Sequence, residues 1–330
     1  TVEQFERTPV LVLEDFDGES LQNLLKGLKK IPLMTFLQLG IQLAEALSDI
    51  YNSSVIHKDI NPNNIIVNMS TGITKITDFG IASLLSNERK GMTSVQLLEG
   101  TIHYMSPEQT GRTSRPVDYH TDFYSLGITF YQMITGVLPF KAMDELGIIH
   151  CHLAVEPVPP HKVNSQIPQV ISEIILKLME KMAENRYQSA LGLKSDLVKC
   201  LNQLQAKGSI EYFKIGKNDY SDRLQIPEKL YGKEKELGII QTAFAQICKG
   251  KKEVIMVTGY SGAGKSMLSN EIRNTIAKKK GHFISGKFDQ FQLDIPYSAL
   301  AQAFKQLVQQ LLTANKEQIQ AWKKELLQAL

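Results

Sequence analysis

Cysteine is scarce in this chain, and so is net charge. Only Cys151, Cys200 and Cys248 occur, far apart and odd in number. They offer neither a disulfide framework nor a C-x-x-C metal or redox pair, which suits a reducing compartment and sets the expectation of a cytoplasmic protein. No apolar run approaches the roughly 18 residues that a membrane-spanning helix needs, and no secretory leader pattern stands at the start. Thirty-seven basic residues against 34 acidic ones leave a net charge of +3, too small to make nucleic acid or an anionic membrane an expected partner. Internal repeats and low-complexity tracts are lacking as well. The chain starts at Thr1 rather than Met, and Ala321 to Leu330 keeps a helical spacing without a terminator, so a piece of a longer protein is expected.

A length of 330 residues suggests about two domains. Val10 to Leu13 reads as a short strand, followed by Glu14-Asp15-Phe16-Asp17-Gly18. Leu21 to Lys30 and Leu33 to Ile50 carry helical apolar spacing. Two short strands are expected at Ile65 to Val67 and Ile73 to Thr77, with Thr71-Gly72 as the turn between them. Ile81 to Glu99 is polar and poorly periodic and reads as a long loop. Tyr119 to Thr135 is an apolar helix stopped near Gly136 and Pro139. Val155 to Pro160 is a proline-rich loop, and Val170 to Met182 and Ala190 to Leu204 are amphipathic helices. Gly208 to Pro227 loses the period and reads as a linker. Beyond it come a helix from Lys233 to Ile247, a strand from Val254 to Thr258, a glycine-rich loop, a helix from Lys265 and a strand from His282 to Phe288.

The first chemical cluster is His57-Lys58-Asp59-Ile60-Asn61-Pro62-Asn63-Asn64, between a helix and the strand pair. Phosphoryl transfer needs a carboxylate to take the hydroxyl proton and oxygen ligands for Mg²⁺ near the phosphates. Asp59 supplies the first; Asn64 offers an amide oxygen. Asp78-Phe79-Gly80 adds a hard carboxylate, with Gly80 easing the turn after it. Either motif alone reads more simply as a polar turn. Further features then follow in order: Gly100-Thr101-Ile102-His103-Tyr104-Met105-Ser106-Pro107-Glu108, Asp122-Phe123-Tyr124-Ser125-Leu126-Gly127, Gly136-Val137-Leu138-Pro139-Phe140 and Arg186-Tyr187.

That series, over about 200 residues, resembles the protein kinase family. The resemblance implies an α+β fold: a mainly helical kinase C-lobe with its hinge over residues 1–205, the N-lobe missing. It implies Asp59 as catalytic base, Asn64 and Asp78 as Mg²⁺ ligands, and Thr101 beside Asp59, as in Ser/Thr kinases. It also implies a Glu108–Arg186 ion pair, Asp122 bracing the catalytic loop, and Glu14 and Phe16 as the hinge against the adenine of ATP. Two departures stand out. Asn61 occupies the place of a lysine that neutralises the transferring phosphate, a task no neutral amide can do. Lys58 replaces an arginine and lacks its bidentate fork. Thr93 and Ser94 are candidate phosphosites, read more simply as solvated hydroxyls. No glycine-rich phosphate cover, strand lysine or helix glutamate precedes the hinge, so this piece alone is expected to lack kinase activity.

The second cluster, Gly259-Tyr260-Ser261-Gly262-Ala263-Gly264-Lys265-Ser266, matches G-x-x-x-x-G-K-[ST]. Gly259, Gly262 and Gly264 let backbone N–H groups wrap a phosphate at a helix N-terminus, Lys265 reaches the β- and γ-phosphates, and Ser266 ligates Mg²⁺. Tyr231-Gly232-Lys233-Glu234-Lys235-Glu236-Leu237 resembles the entry motif of AAA and STAND-type ATPases. Residues 206–228 are then the linker, and 229–330 the start of an α/β P-loop ATPase domain. No Walker B strand follows. Together with Gly286-Lys287-Phe288-Asp289-Gln290-Phe291 and Ile295-Pro296-Tyr297, this order looks like large bacterial, notably cyanobacterial, multidomain signalling kinases. The resemblance implies a protein substrate and sensor or histidine-kinase modules in the same parent chain.

Weaker signals take plainer readings. His150-Cys151-His152 fits no common zinc spacing and is read as structural, and Lys278-Lys279-Lys280 as a solvated helix end. The leading expectation is an ATP-dependent protein Ser/Thr kinase coupled to a regulatory ATPase. The alternatives are a non-catalytic kinase-like scaffold, which Asn61 favours, and a small-molecule phosphotransferase, which the Thr101 to Glu108 shelf disfavours.

Overall fold

The computed structural model describes residues 14–85, 101–113, 115–220, 232–260, 281–286 and 297–312, the strands at 2–5 and 8–11, and residues 264, 265, 268, 269, 272, 275, 276 and 279. Two strands, β1 (Val2–Phe5) and β2 (Thr8–Leu11), form an antiparallel hairpin. A three-stranded antiparallel sheet then runs β3 (Glu19–Ser20), β5 (Ile65–Val67), β6 (Thr74–Ile76), with Ile65 opposite Ile76 and Ile66 opposite Lys75. Gly72, at φ 73°, turns β5 into β6, and the Asn68 side chain receives the Ser70 and Thr71 N–H groups. A left-handed position with no Cβ is what that turn requires.

Helices make up the rest of the lobe. Ser20 caps α1 (Leu21–Leu28) through its hydroxyl, and α2 (Leu33–Asn52) buries Phe36, Leu37, Gly40, Leu43, Ala44 and Leu47 at the spacing of one face. At the centre lies α3 (His120–Thr135), buried on nearly every side. Its hydroxyls survive burial by bonding back to carbonyls one turn earlier: Thr129 to Ser125 at 2.9 Å and Thr135 to Tyr131 at 2.6 Å. Gly127 admits the next layer, since a Cβ there would stand 2.8 Å from both Leu178 and Met179. That layer is α6 (Gln169–Leu178), preceded by α4 (Glu145–Ala154) and the short α5 (Pro160–Val163). The helix α7 (Ala190–Lys207) closes the lobe against α2 and stops at Gly208 in the left-handed region.

Several expectations need correction. Ser83–Leu84, inside the stretch read as loop, form β7 and pair with β4 (Val55–Ile56), because a two-residue ladder is too short to show a period. The loop expected to end at Pro160 gives way there to α5, since proline suits a first helical turn. The helix expected to reach Met182 ends at Leu178, where Met179 takes over the last carbonyls. Val254 to Thr258 form no strand among the described residues, and Val254 and Met256 are 97% and 86% exposed. Nor do residues 282–286 of the second expected strand, whose last residues lie outside the described ones. Apolar β-branched residues favour a pleated surface only when neighbouring strands supply one. Among the described residues, this part also contains the helices α8 (Glu234–Ile247) and α9 (Ser298–Leu312).

Residues 210–219, of linker composition, lie against the helical lobe. Phe213 is buried beneath Lys199, whose ammonium sits 3.9 Å from its ring centre. The Asp219 carboxylate receives the N–H groups of Gln188 (2.9 Å) and Ser189 (3.0 Å) and faces Lys177 at 3.7 Å. Asp219→Ala strands those donors and is expected to cost about 1–3 kcal/mol. Urea unfolding followed by circular dichroism checks this; an unchanged midpoint would show that the segment is held by its apolar contacts alone.

Candidate active site

Asp59 sits in the loop between β4 and β5, and both oxygens of its carboxylate are held. Thr101 N–H donates to Oδ1 at 3.0 Å, and Asn64 Nδ2 to Oδ2 at 2.9 Å. The same Asn64 amide donates to the Asp59 carbonyl at 2.9 Å. A carbonyl only accepts, so nitrogen faces it, and the Asn64 amide oxygen remains as the hard donor for a cation. Thr77 is docked against this loop twice. Its N–H donates to the Asn64 carbonyl at 2.9 Å, and its carbonyl receives His57 Nε2 at 3.0 Å. Asp78 is the next residue, exposed, at φ 63°, with the Gly80 N–H closing on its Oδ1 at 3.1 Å. Asp59, Asn64, Asp78 and Thr101 are thus brought into one cluster of loops, with oxygen donors of the kind Mg²⁺ takes.

Asn61 bridges the same parts. Its Nδ2 donates to the Asp59 carbonyl at 3.1 Å and to Thr101 Oγ1 at 3.3 Å, and its Oδ1 receives Asn63 N–H. The amide therefore keeps Thr101 tied to the catalytic loop while bringing no charge. His57 is buried, and burial lowers its pKa against the Thr77 bond and the charges of Asp59 and Asp78. The neutral ring carries its proton on Nε2, and Phe79 packs on it edge to face with ring centres 4.7 Å apart.

Two buried carboxylates support the site from below. Asp122, on α3, receives His57 N–H (2.9 Å) on one oxygen and Lys58 N–H (2.8 Å) on the other. Burial pushes its carboxyl up to about 7, opposed by these two donors, which favour the ionised form. Glu108 meets Arg186 through two parallel bonds of 2.7 and 3.0 Å, both side chains buried. Burial alone would raise the Glu108 carboxyl; the Arg186 guanidinium overcomes it and holds the group at about 2. Gln109 was missed by sequence reasoning. It ties the shelf to the catalytic loop, donating from Nε2 to the Lys58 carbonyl at 2.7 Å. A single glutamine without a period or motif carries no signal of this.

The Glu14–Phe16 segment crosses the β5–β6 hairpin. Glu14 pairs with Lys75, the Phe16 carbonyl receives Asn68 Nδ2 at 2.7 Å, and the Lys75 ammonium stands 4.9 Å from the Phe16 ring centre. A Cβ at Gly18 would lie 2.6 Å from Ile66 Cγ2, so only glycine lets the backbone pass this close. In the second cluster Gly259 and Gly264 have φ of 156° and 78°, and Lys265 is helical, as are Leu268 and Ser269. Its ammonium donates to the Gly259 and Tyr260 carbonyls at 2.7 Å each, folded over its own loop. Gly262 and Ser266, like Thr93 and Ser94, lie outside the described residues.

Comparison with known proteins defines the class. Residues 2–199 match the family profile described as protein kinase domain, and residues 229–330 that of an AAA ATPase domain. The chain belongs to the protein kinase family, with an AAA ATPase domain fused behind the kinase domain. It is 32% identical over 386 residues to hybrid signal transduction histidine kinase G of Dictyostelium discoideum, covering 91% of this chain and 11% of that protein. It is 38% identical over 189 residues to a probable serine/threonine-protein kinase of Clostridium perfringens, covering 57% and 27%. The serine/threonine-protein kinase PknB of Mycolicibacterium smegmatis is 31% identical over 192 residues, covering 58% and 30%. The chain thus spans between about a tenth and a third of the length of these relatives.

The Glu108–Arg186 pair yields a testable consequence. Arg186→Met leaves a buried carboxylate unpaired and is expected to lower stability by about 3–5 kcal/mol, read from the urea midpoint. The folded Glu108 value lies below the ordinary 4.5, so the pair's contribution is full above that pH and is lost as pH falls toward 2. An acid-unfolding curve that does not differ between wild type and Arg186→Met in that window would contradict the assignment.

Proposed function

We propose that the chain carries the catalytic machinery of an ATP-dependent protein Ser/Thr kinase whose output is coupled to a regulatory P-loop ATPase in signal transduction. The carrying observation is the clasp on Asp59: one oxygen held by Thr101 N–H, the other by the Asn64 amide. Such a carboxylate is aimed and fixed, and each oxygen keeps a lone pair to take the proton of an incoming hydroxyl. Thr101 belongs to the shelf on which a protein substrate lies. Asn64 and Asp78 are the residues to hold Mg²⁺, which when bound neutralises charge between the phosphates of ATP. Glu14 and Phe16 line the adenine edge. In the second domain Gly259, Gly262, Gly264 and Lys265 hold the phosphates of a second nucleotide, and Ser266 its Mg²⁺.

The kinase domain runs to Asp219 in this reading, since residues 210–219 pack on it, and the connector shortens to about 220–228. The name of the Dictyostelium relative supports sensor or histidine-kinase modules in the same parent protein. A bacterial, cyanobacterial-type host and a cytoplasmic location complete the proposal; among the described residues no helix is long and apolar enough to cross a membrane.

Asn61 favours a second reading, a kinase-like scaffold that governs the ATPase without transferring phosphate. Transfer from ATP to myelin basic protein by the full protein separates the two. Under the kinase reading Asp59→Asn reduces transfer to background, and Asn61→Lys raises kcat by about tenfold or more by returning a cation to the transferring phosphate. Transfer that survives Asp59→Asn unchanged would defeat the kinase reading; none from wild type or Asn61→Lys would favour the scaffold.

Lys265→Ala addresses the other site. It is expected to weaken binding of a fluorescent ATP analogue at the P-loop by about tenfold or more, since a charge-assisted phosphate contact is lost. Fluorescence titration in an Asp78→Ala background isolates that site, and unchanged affinity would remove Lys265 from it.

A further inference from the structure

Beneath residues 101–104 lies a chain of hydrogen bonds that the catalytic cluster does not use. Lys181, just beyond α6, donates from Nζ to Tyr124 Oη at 3.3 Å and to the Cys151 carbonyl at 3.1 Å. Tyr124 Oη stands 3.0 Å from His152 Nδ1, and His152 Nε2 stands 2.9 Å from the Ile102 carbonyl. The carbonyl can only accept, so Nε2 carries the ring proton and Nδ1 accepts from the tyrosine hydroxyl. The bonds therefore run in one direction, ammonium to hydroxyl to imidazole to carbonyl, which lets each polarise the next. Tyr124 and His152 are completely buried, and Phe140 closes the space, its ring centre 5.4 Å from that of His152 and 4.5 Å from the Lys181 ammonium. Burial, reinforced by the Lys181 charge, drives the imidazole down to about 3, so the ring is neutral and the direction of the chain is kept at ordinary pH.

The end point of this chain gives it meaning. Tyr104 N–H bonds to the Thr101 carbonyl at 2.8 Å and folds residues 101–104 into a turn. Thr101 N–H pins one end of the turn to Asp59, and His152 pins the Ile102 carbonyl beside it. The turn is thereby held at Thr101 by Asp59 and Asn61, at Tyr104 by Gln132 of α3, which receives the tyrosine hydroxyl, and at Ile102 by a histidine of α4. A core histidine needs only to satisfy its own nitrogens; this one does so by spanning α3, α4 and the shelf.

We propose that Tyr124 and His152 are positioning residues, a relay that holds the substrate-facing turn at residues 101–104 in register with Asp59. The proposal rests on the kinase reading for its functional consequence but not for its structural one. A turn released from α4 presents the acceptor hydroxyl badly while leaving the ATP side untouched, so the effect falls on the protein substrate.

The test uses the full protein, ATP and myelin basic protein as acceptor. In His152→Phe the KM for acceptor is expected to rise by about three- to tenfold, through loss of the hydrogen bond to the Ile102 carbonyl, while the KM for ATP stays constant. His152→Gln, whose side-chain amide can donate to the Ile102 carbonyl, is expected to return the acceptor KM to within about threefold of wild type. Backbone amide exchange adds a readout independent of activity: residues 102–104 exchange faster in His152→Phe, regain protection in His152→Gln, and α3 stays protected throughout. An unchanged acceptor KM with unchanged exchange would overturn the relay while leaving the kinase reading intact. A wild type that transfers no phosphate would defeat the kinase reading, and exchange at 102–104 would still decide whether the relay holds the turn. If His152→Phe does not fold, Tyr124→Phe removes only the hydroxyl and must move the same two readouts in the same direction; no movement would equally overturn the proposal.

Discussion

The site depends on one buried carboxylate. Asp122 stands completely buried on α3 and receives the backbone N–H groups of His57 and Lys58. Lys58 is in the left-handed region at φ 67°, a conformation that costs a side-chain-bearing residue roughly 1–2 kcal/mol. Without an acceptor there, the loop has no reason to adopt that bend, and Asp59 would not be presented beside Asn64 and Thr101. The carboxylate can sit on α3 because that helix is central, apolar and capped by Gly136, so its position is dictated by packing from both sides. Its own burial opposes ionisation, and the two donated N–H groups favour it.

The same logic recurs one layer further out. Arg186 and Glu108 join the segment before α7 to the substrate shelf, and Arg186 also donates to the His120 carbonyl at 2.8 Å. Gln188 and Ser189, immediately after, are held by Asp219 from the segment that follows α7. Shelf, α3 and the path toward the second domain are therefore linked through short polar bridges, each satisfied within a buried environment where an unpaired group would be costly. Asn61 fits this pattern too: its neutral amide links the Asp59 carbonyl to Thr101.

Much of the helical lobe was legible from periodicity, because α1, α2, α6 and α7 each bury one face and leave the other to water. Asp59, Asn64, Asp78 and Thr101 were legible through ordered motifs, and so was the Glu108–Arg186 pair. The three two-residue strands were not legible in this way, since two residues show no alternation. The expected strand at Val254 to Thr258 illustrates the reverse failure: a β-favouring composition with no strand to pair with among the described residues. The segment 210–219 misled for a third reason. Its polar composition is that of a linker, yet Asp219 binds it to Gln188 and Ser189 just before α7, and Phe213 lies under Lys199 of α7, contacts distant in sequence.

Residue types at short spacing were enough to single out the candidate residues. A carboxylate, an amide five residues later and a second carboxylate before a glycine are local facts, as are the glycines and lysine of the phosphate loop. Tertiary structure decided which groups hold those residues in place. Asp122 meets His57 across more than sixty residues of chain, Arg186 meets Glu108 across 78, and His152 reaches Ile102 across 50. Such partners are chosen by how helices pack around α3, and packing is a property of the whole lobe that no window of sequence contains.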